Sequence, residues 1–168
     1  DINGKNIFMQ NSALGAGGAI YSANNNFRMD GNNIFDANSA PVGGAILLID
    51  SQRVDFMGEN KFNGNTASSA GGAVRAQNIN ELILSNHNYF TNNRAPHSGG
   101  GIYMQNSVLN TQGSVFDGNT AQYGGAIFLE NTAFAGNYNI FKNNYATKTG
   151  SDIESYQSSI HSLEYNYW

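Results

Sequence analysis

The sequence predicts an all-β fold, a right-handed parallel β-helix (solenoid) of about six coils of 25–28 residues with three short strands per coil. Three observations lead to this prediction. A motif F-x-x-N-x-A recurs six times, a Gly-Gly-Ala-Ile motif or a variant follows each copy, and apolar residues alternate with period two after each Gly pair. The right hand follows from the general rule for parallel crossovers.

The first repeated element is the aromatic and amide motif. Its Phe residues are Phe8, Phe35, Phe62, Phe90, Phe116 and Phe141, and its Asn residues are Asn11, Asn38, Asn65, Asn93, Asn119 and Asn144. Because parallel coils stack about 4.8 Å apart, equivalent side chains should form columns. We expect the Phe rings to stack as the core of the solenoid. Each buried Asn should bond to backbone and to the Asn amide of the next coil.

The second repeated element is the Gly pair that leads into the next strand. It occurs as Gly17-Gly18, Gly43-Gly44, Gly71-Gly72, Gly99-Gly100 and Gly124-Gly125, and the sixth copy decays to Gly150-Ser151-Asp152-Ile153. Glycine there allows the positive φ that a tight turn requires. The first strand of each coil should follow this pair. A second strand is expected at 27–29, 54–56, 82–84, 108–110 and around residue 134, and the third carries the Phe.

Two further features complete the predicted coil. A second column of polar side chains is expected where the first strand ends, formed by Asn24, Asp50, Asn78, Asn106, Asn131 and Gln157. Pro41 and Pro96 directly follow the motif Ala, so we expect both in a loop that makes no ladder bond. Residues 1–8 match the coil phase that begins at residue 29, and Trp168 stands at a Phe position. We therefore expect residues 1–168 to be a single segment of a longer solenoid.

Composition excludes several classes of protein. Only 12% of the residues are charged and the net charge is −4, which does not suit a phosphate backbone, so no nucleic-acid partner is expected. Cysteine is absent, which excludes disulfides and thiol chemistry. The 27 Asn and 20 Gly would suit a disordered chain, but the 40% hydrophobic content with 10 Phe and 9 Tyr indicates a packed fold.

The outward-facing positions of the first strand are more apolar than a solvated surface. We identify Tyr21, Leu47, Arg75, Tyr103 and Phe128 as candidate ligand-binding residues in this row. Aromatic and Arg side chains are the usual anchors of binding surfaces. Two alternatives remain open: a neighbouring loop or domain covers the row, or its stacked side chains only stabilise the sheet.

Catalytic and metal sites have weaker support in the sequence. Some parallel β-helices are carbohydrate-active enzymes, which need clustered carboxylates. The best candidate cluster is Glu130, Asp152 and Glu154, with the last two expected to point outward from one strand. A solvated polar patch is the simpler interpretation. His87, His97 and His161 lie on different coil phases, so we expect no metal site and no cofactor.

The pairing of F-x-x-N with GGA[ILV] resembles the repeats of the chlamydial polymorphic outer membrane proteins. The resemblance extends from Phe8-x-x-Asn11 to Phe141-x-x-Asn144, and departs from the family in the degenerate sixth Gly motif and the missing cysteines. It implies an autotransporter: a secreted β-helical passenger at the cell surface, attached to the outer membrane through a C-terminal barrel outside these residues. It also implies adhesion to a host cell-surface receptor protein or glycan, without enzymatic activity.

Two other functions remain open at this point. A purely structural surface protein could form filaments if a homo-oligomer assembled by end-to-end stacking of open strand edges. A carbohydrate-active enzyme is the third possibility.

Overall fold

The computed structural model describes residues 1–168 and contains 23 β-strands and no α-helix. No helix of the length and apolarity required to cross a membrane is present. All paired strands are parallel, and each strand pairs with the equivalent strand of an adjacent coil. The predicted all-β parallel solenoid of about six coils is therefore confirmed. We number the coils by their Phe: coil 1 begins at residue 8, and coils 2 to 6 at residues 35, 62, 90, 116 and 141.

The strands form four walls that run along the solenoid axis. Wall 1 contains β3 (Ile20–Ala23), β7 (Ile46–Ser51), β11 (Val74–Ile79), β14 (Ile102–Gln105), β18 (Ile127–Glu130) and β22 (Ile153–Tyr156). Wall 2 contains β1 (Ile2–Gly4), β4 (Phe27–Gly31), β8 (Val54–Met57), β12 (Leu82–Leu84), β15 (Val108–Gln112), β19 (Ala133–Asn137) and β23 (Ser159–Ser162). Wall 3 contains β2 (Ile7–Met9), β5 (Ile34–Asp36), β9 (Lys61–Asn63), β13 (Tyr89–Thr91), β16 (Val115–Asp117) and β20 (Ile140–Lys142).

Wall 4 is a fourth strand that the sequence did not predict. It contains β6 (Ser39–Val42), β10 (Thr66–Ala70), β17 (Thr120–Tyr123) and β21 (Tyr145–Thr149), and coil 4 joins it through isolated bridges at Arg94 and Ser98. The expectation that Pro41 lies in a loop is wrong, because it lies inside β6. It stands between the paired residues Ala40 and Val42, where the register shifts and no donor is needed.

One side of the core is a column of stacked Phe rings inside wall 3. Successive centroids lie 4.6–5.0 Å apart and the planes differ by at most 8°, from Phe8 to Phe141. Trp168 continues the column at 4.8 Å from Phe141. Isolated aromatic pairs prefer offset or edge-to-face contacts. Nearly parallel rings occur here because each backbone position repeats at the inter-strand spacing of about 4.8 Å.

The Asn that follows each Phe saturates its hydrogen-bonding capacity between coils. Asn65 Nδ2 donates to Asn93 Oδ1 at 3.0 Å and to the Phe35 carbonyl at 2.9 Å. Asn65 Oδ1 accepts from the backbone N–H and the Nδ2–H of Asn38, at 3.0 and 2.9 Å. The same pattern recurs along the column, so each buried amide is held by the coils on both sides.

Two other polar columns flank the Phe column. The turn after wall 1 has positive φ in every coil, at Asn24, Asp50, Asn78, Asn106, Asn131 and Gln157. Its middle members bond to one another, as Asn78 Nδ2 does to Asp50 Oδ1 at 2.8 Å. A further column that the sequence did not predict lies two residues before the aromatic positions and is formed by Asn6, Asn33, Asn60, Asn88, Asn139 and Asn166. Ser114 interrupts it, and its buried Oγ has no hydrogen-bond partner.

The Gly pair is required by close approach as well as by φ. Gly71 has φ of +68°. A Cβ on Gly72 would lie 2.1 Å from the Gly100 carbonyl oxygen and 2.6 Å from the Arg94 backbone. The second glycine therefore lets walls 1 and 4 meet at a corner that no larger residue fits.

Removal of one ring from the middle of the column tests the aromatic core. Phe62 is fully buried between Phe35 and Phe90. We expect Phe62→Ala to lower the free energy of unfolding by ~3–5 kcal/mol through lost burial and a cavity. Chemical denaturation measures the change. Unchanged stability would show that the column is not the core.

The Asn column can be tested with a control from the same coil. We expect Asn65→Ala to cost ~1–3 kcal/mol, because it removes the Oδ1 that accepts from both amides of Asn38 and the Nδ2–H that donates to Asn93 and to the Phe35 carbonyl. Asn63→Ala is the control: Asn63 is exposed, and its loss should change stability by less than ~0.5 kcal/mol. Equal melting of the two variants would contradict the proposed contribution of the buried column.

Candidate functional site

The structure brings the five candidate binding residues into one column on the outer side of wall 1. Tyr21, Leu47, Arg75, Tyr103 and Phe128 are aligned Cα to Cα across successive strands. The column exists because each of these residues is the second residue of its wall-1 strand.

Exposure is unequal along this column. Tyr21 is 59% exposed, whereas Leu47 and Tyr103 are 4% and 8% exposed. Arg75 and Phe128 are half-buried. The accessible part of the column is therefore limited to Tyr21 and to the exposed parts of Arg75 and Phe128, on either side of Tyr103.

Tyr103 is buried by its own column. The Arg75 guanidinium lies 4.9 Å from the centre of the Tyr103 ring, a cation–π contact. On the opposite side the Phe128 ring stacks at 5.4 Å with planes 3° apart. Both ring faces are thus occupied, so a ligand would meet the Arg75 cation and the edges of these rings.

A carboxylate completes this arrangement. The Tyr103 hydroxyl donates a hydrogen bond to Glu130 Oε2. Burial raises the pKa of Tyr103 well above its ordinary value, and the hydrogen bond and negative charge of Glu130 raise it further, while Arg75 acts in the opposite direction. Tyr103 therefore remains a neutral donor, and Glu130 retains further acceptor capacity toward the outside.

These groups border a groove between wall 1 and the segment that leads to the Gly pair. Its volume is about 310 Å³. It is lined by Ser69, Ala70, Arg75, His97, Ser98, Tyr103, Phe128, Glu130 and Tyr156. His97 was expected to be a scattered surface residue, but it lines this groove. Ser69 of β10 and His97, between the bridged residues Arg94 and Ser98, belong to wall 4, which the motif does not predict. Arg75, Glu130 and His97 give the groove hydrogen-bonding and charged groups beside the Tyr103 and Phe128 rings.

The candidate carboxylate cluster does not form as expected. Asp152 was expected to point outward beside Glu154, but its Oδ1 accepts a hydrogen bond from Asn144 Nδ2 at 2.9 Å. That contact turns Asp152 toward the Asn column, away from Glu130. No group of three or more His, Asp or Glu side chains is placed to hold a metal ion.

Comparison with known proteins identifies the repeat. Three segments match the model of the Chlamydia polymorphic membrane protein repeat, at residues 7–23, 89–105 and 113–130. Each of these segments contains one F-x-x-N motif and the Gly pair that follows it. The resemblance found in the sequence is thereby confirmed. No curated protein and no solved structure matches the chain.

The Tyr103–Glu130 contact predicts a stability change at alkaline pH. A pKa raised in the folded state means that the folded protein retains a proton that the unfolded chain releases near pH 10. The contribution of the protonated Tyr103 to the free energy of unfolding is complete below that pH. Above that pH it is lost, by up to ~1.4 kcal/mol per pH unit. We expect urea unfolding between pH 10 and 11.5 to show a steeper loss for the wild type than for Tyr103→Phe. Parallel curves would contradict the raised pKa.

Proposed function

Because the chain carries repeats of the Chlamydia polymorphic membrane protein family, we propose that it is a passenger segment of an autotransporter that contributes to attachment to host cells. The parallel solenoid and the family's association with the membrane support a position at the cell surface. The observation that carries attachment is the groove lined by Arg75, Tyr103, Phe128 and Glu130. Its partner would be a host cell-surface protein or glycan.

The solenoid would act as a stiff support for this surface. Stacked rings and Asn amides connect every coil to the next, so a groove on wall 1 keeps its shape over several coils. Preorganised groups lose less entropy on binding than mobile ones do. A rigid rod therefore suits the display of a contact surface away from the cell.

We propose a non-enzymatic role for the same groove. Glycoside hydrolysis needs two carboxyl groups that flank one bond. Glu130 accepts a hydrogen bond from Tyr103, and Asp152 accepts one from Asn144. Two of the three carboxylates that the sequence suggested for catalysis thus hydrogen-bond to neighbouring column residues, which favours recognition over chemistry.

Cell attachment tests the proposal directly. The labelled fragment should bind cultured epithelial cells saturably, and Arg75→Ser/Tyr156→Ser should lower binding at least fivefold. Both side chains line the groove, and neither is fully buried, so the variant should retain the circular dichroism of the parent.

A matched control separates the groove from general charge and aromatic effects. Lys5→Ser/Tyr138→Ser removes one cation and one exposed Tyr away from the groove, and it should bind cells like the parent. Equal loss in both double variants would contradict a site in this groove. Absence of saturable binding by the parent would contradict attachment by this segment.

A further inference from the structure

A second groove lies on wall 4 and results from a difference in coil length. Five residue steps separate the motif Asn from the first Gly in coils 2 and 5, and six separate them in the other coils. Coil 5 therefore has one residue fewer here than coils 4 and 6. The pairing shows the difference: Ala121 pairs with Ala146, but Tyr123 pairs with Thr149, which leaves an extra residue in coil 6. The longer neighbours border a depression of about 370 Å³ over coil 5.

The same cause produces a sister groove over coil 2. Coil 2 is also short, and the shift appears where Ala67 pairs with Ala40 but Ala70 pairs with Val42. The sister groove has a similar volume, about 340 Å³. It contains Leu14 and Pro41 where the groove over coil 5 contains Pro96 and Gln122. The two grooves share a shape and differ in chemistry.

The groove over coil 5 combines a cation with neutral polar groups. Its floor is formed by Ala95 and Ala121, and its polar lining by Arg94, Thr120, Gln122, Tyr145 and Thr147. Arg94 is exposed, and none of the four ion pairs of the protein involves it. No carboxylate lines the groove. The Arg94 guanidinium is consequently available to an external anion.

The position of these groups is fixed by the strands. Arg94 is bridged to Thr66 on one side and to Thr120 on the other, and Thr120 pairs with Tyr145. Arg94, Thr120 and Tyr145 therefore lie in one column at the spacing between strands, about 4.8 Å. A ligand the size of one or two sugar rings would span the cation, the hydroxyl and the aromatic side chain together.

We propose that this groove binds an acidic saccharide, a sugar ring that carries a carboxylate or a sulfate. The Arg94 fork matches the two oxygens of such a group. Thr120, Gln122 and Thr147 offer hydroxyl and amide groups to ring hydroxyls. A peptide ligand would instead require apolar anchor pockets, and the small Ala floor provides none. The volume lies at the lower end of small-molecule sites, which span ~300–1,000 Å³.

This inference names a ligand class for attachment, so its biological meaning rests on the proposed function. It uses a different surface from the wall-1 groove, so the two can fail separately. Loss of cell binding with sugar binding intact would overturn attachment alone. Intact cell binding without sugar binding would overturn the proposed saccharide site alone.

Titration of the purified protein with simple sugars tests the groove. We would follow backbone amide NMR shifts with methyl glucuronoside, glucose 6-sulfate and neutral methyl glucoside. At least one acidic sugar should bind at least tenfold more tightly than the neutral one, with shifts centred on Thr120 and Tyr145 and none at the sister groove. The tighter acidic probe identifies the acid.

Variants at one position test the role of the cation. Arg94→Ser copies Ser12 at the equivalent position of coil 1 and should lower the affinity at least tenfold. Arg94→Lys should recover only part of it, since Lys lacks the fork. Lys5→Ser makes the same change in net charge elsewhere and should bind like the parent. Equal affinity for neutral and acidic sugars, equal loss in both Ser variants, no binding, or binding of an acidic peptide only would overturn the proposal.

Discussion

The structure depends on one constraint: parallel pairing places every residue about 4.8 Å from its own equivalent in the next coil. A buried side chain therefore packs against the equivalent side chain of the next coil, which in the Phe and Asn columns is a copy of itself. Phe does so by stacking, with centroids 4.6–5.0 Å apart. Asn does so because its amide has a donor and an acceptor at opposite ends, as between Asn65 and Asn93. A column of buried like charges would repel at this spacing, and Asp55, which pairs with Arg53 at 2.9 Å, is the one charged residue that is buried.

A repetitive framework creates individual sites only where it departs from repetition. The Phe and motif Asn columns hardly vary, whereas the outer column of wall 1 changes from Leu47 to Arg75 to Tyr103. The short segment of coil 5 is a departure in length, and it leaves a depression without any change in the inner columns. Both grooves are therefore formed by outward side chains. Packing of the core does not restrict these side chains, so they can vary from coil to coil.

The sequence alone predicted the parallel solenoid and placed the Phe and Asn columns, because identical residues at a fixed spacing leave a strong periodic signal. It did not predict wall 4, whose residues in β6 are Ser, Ala, Pro and Val and alternate poorly. It missed the buried column at Asn33 and Asn60 because Ser114 interrupts its pattern. The low exposure of Leu47 and Tyr103 depends on covering groups from neighbouring strands and segments, which periodicity does not encode.

The Asn column also explains a residue that looked like decay of the motif. From Asn11 to Asn119, each member donates Nδ2–H to the Oδ1 of the following Asn, so the column has a direction. The Nδ2–H of Asn144 donates instead to Asp152 Oδ1 in the same coil, at 2.9 Å. Asp152 stands where coils 2 and 5 carry Ala45 and Ala126, which have no acceptor side chain. The Asp that replaces the motif Ala thus supplies, within the same coil, an acceptor for the Nδ2–H of Asn144.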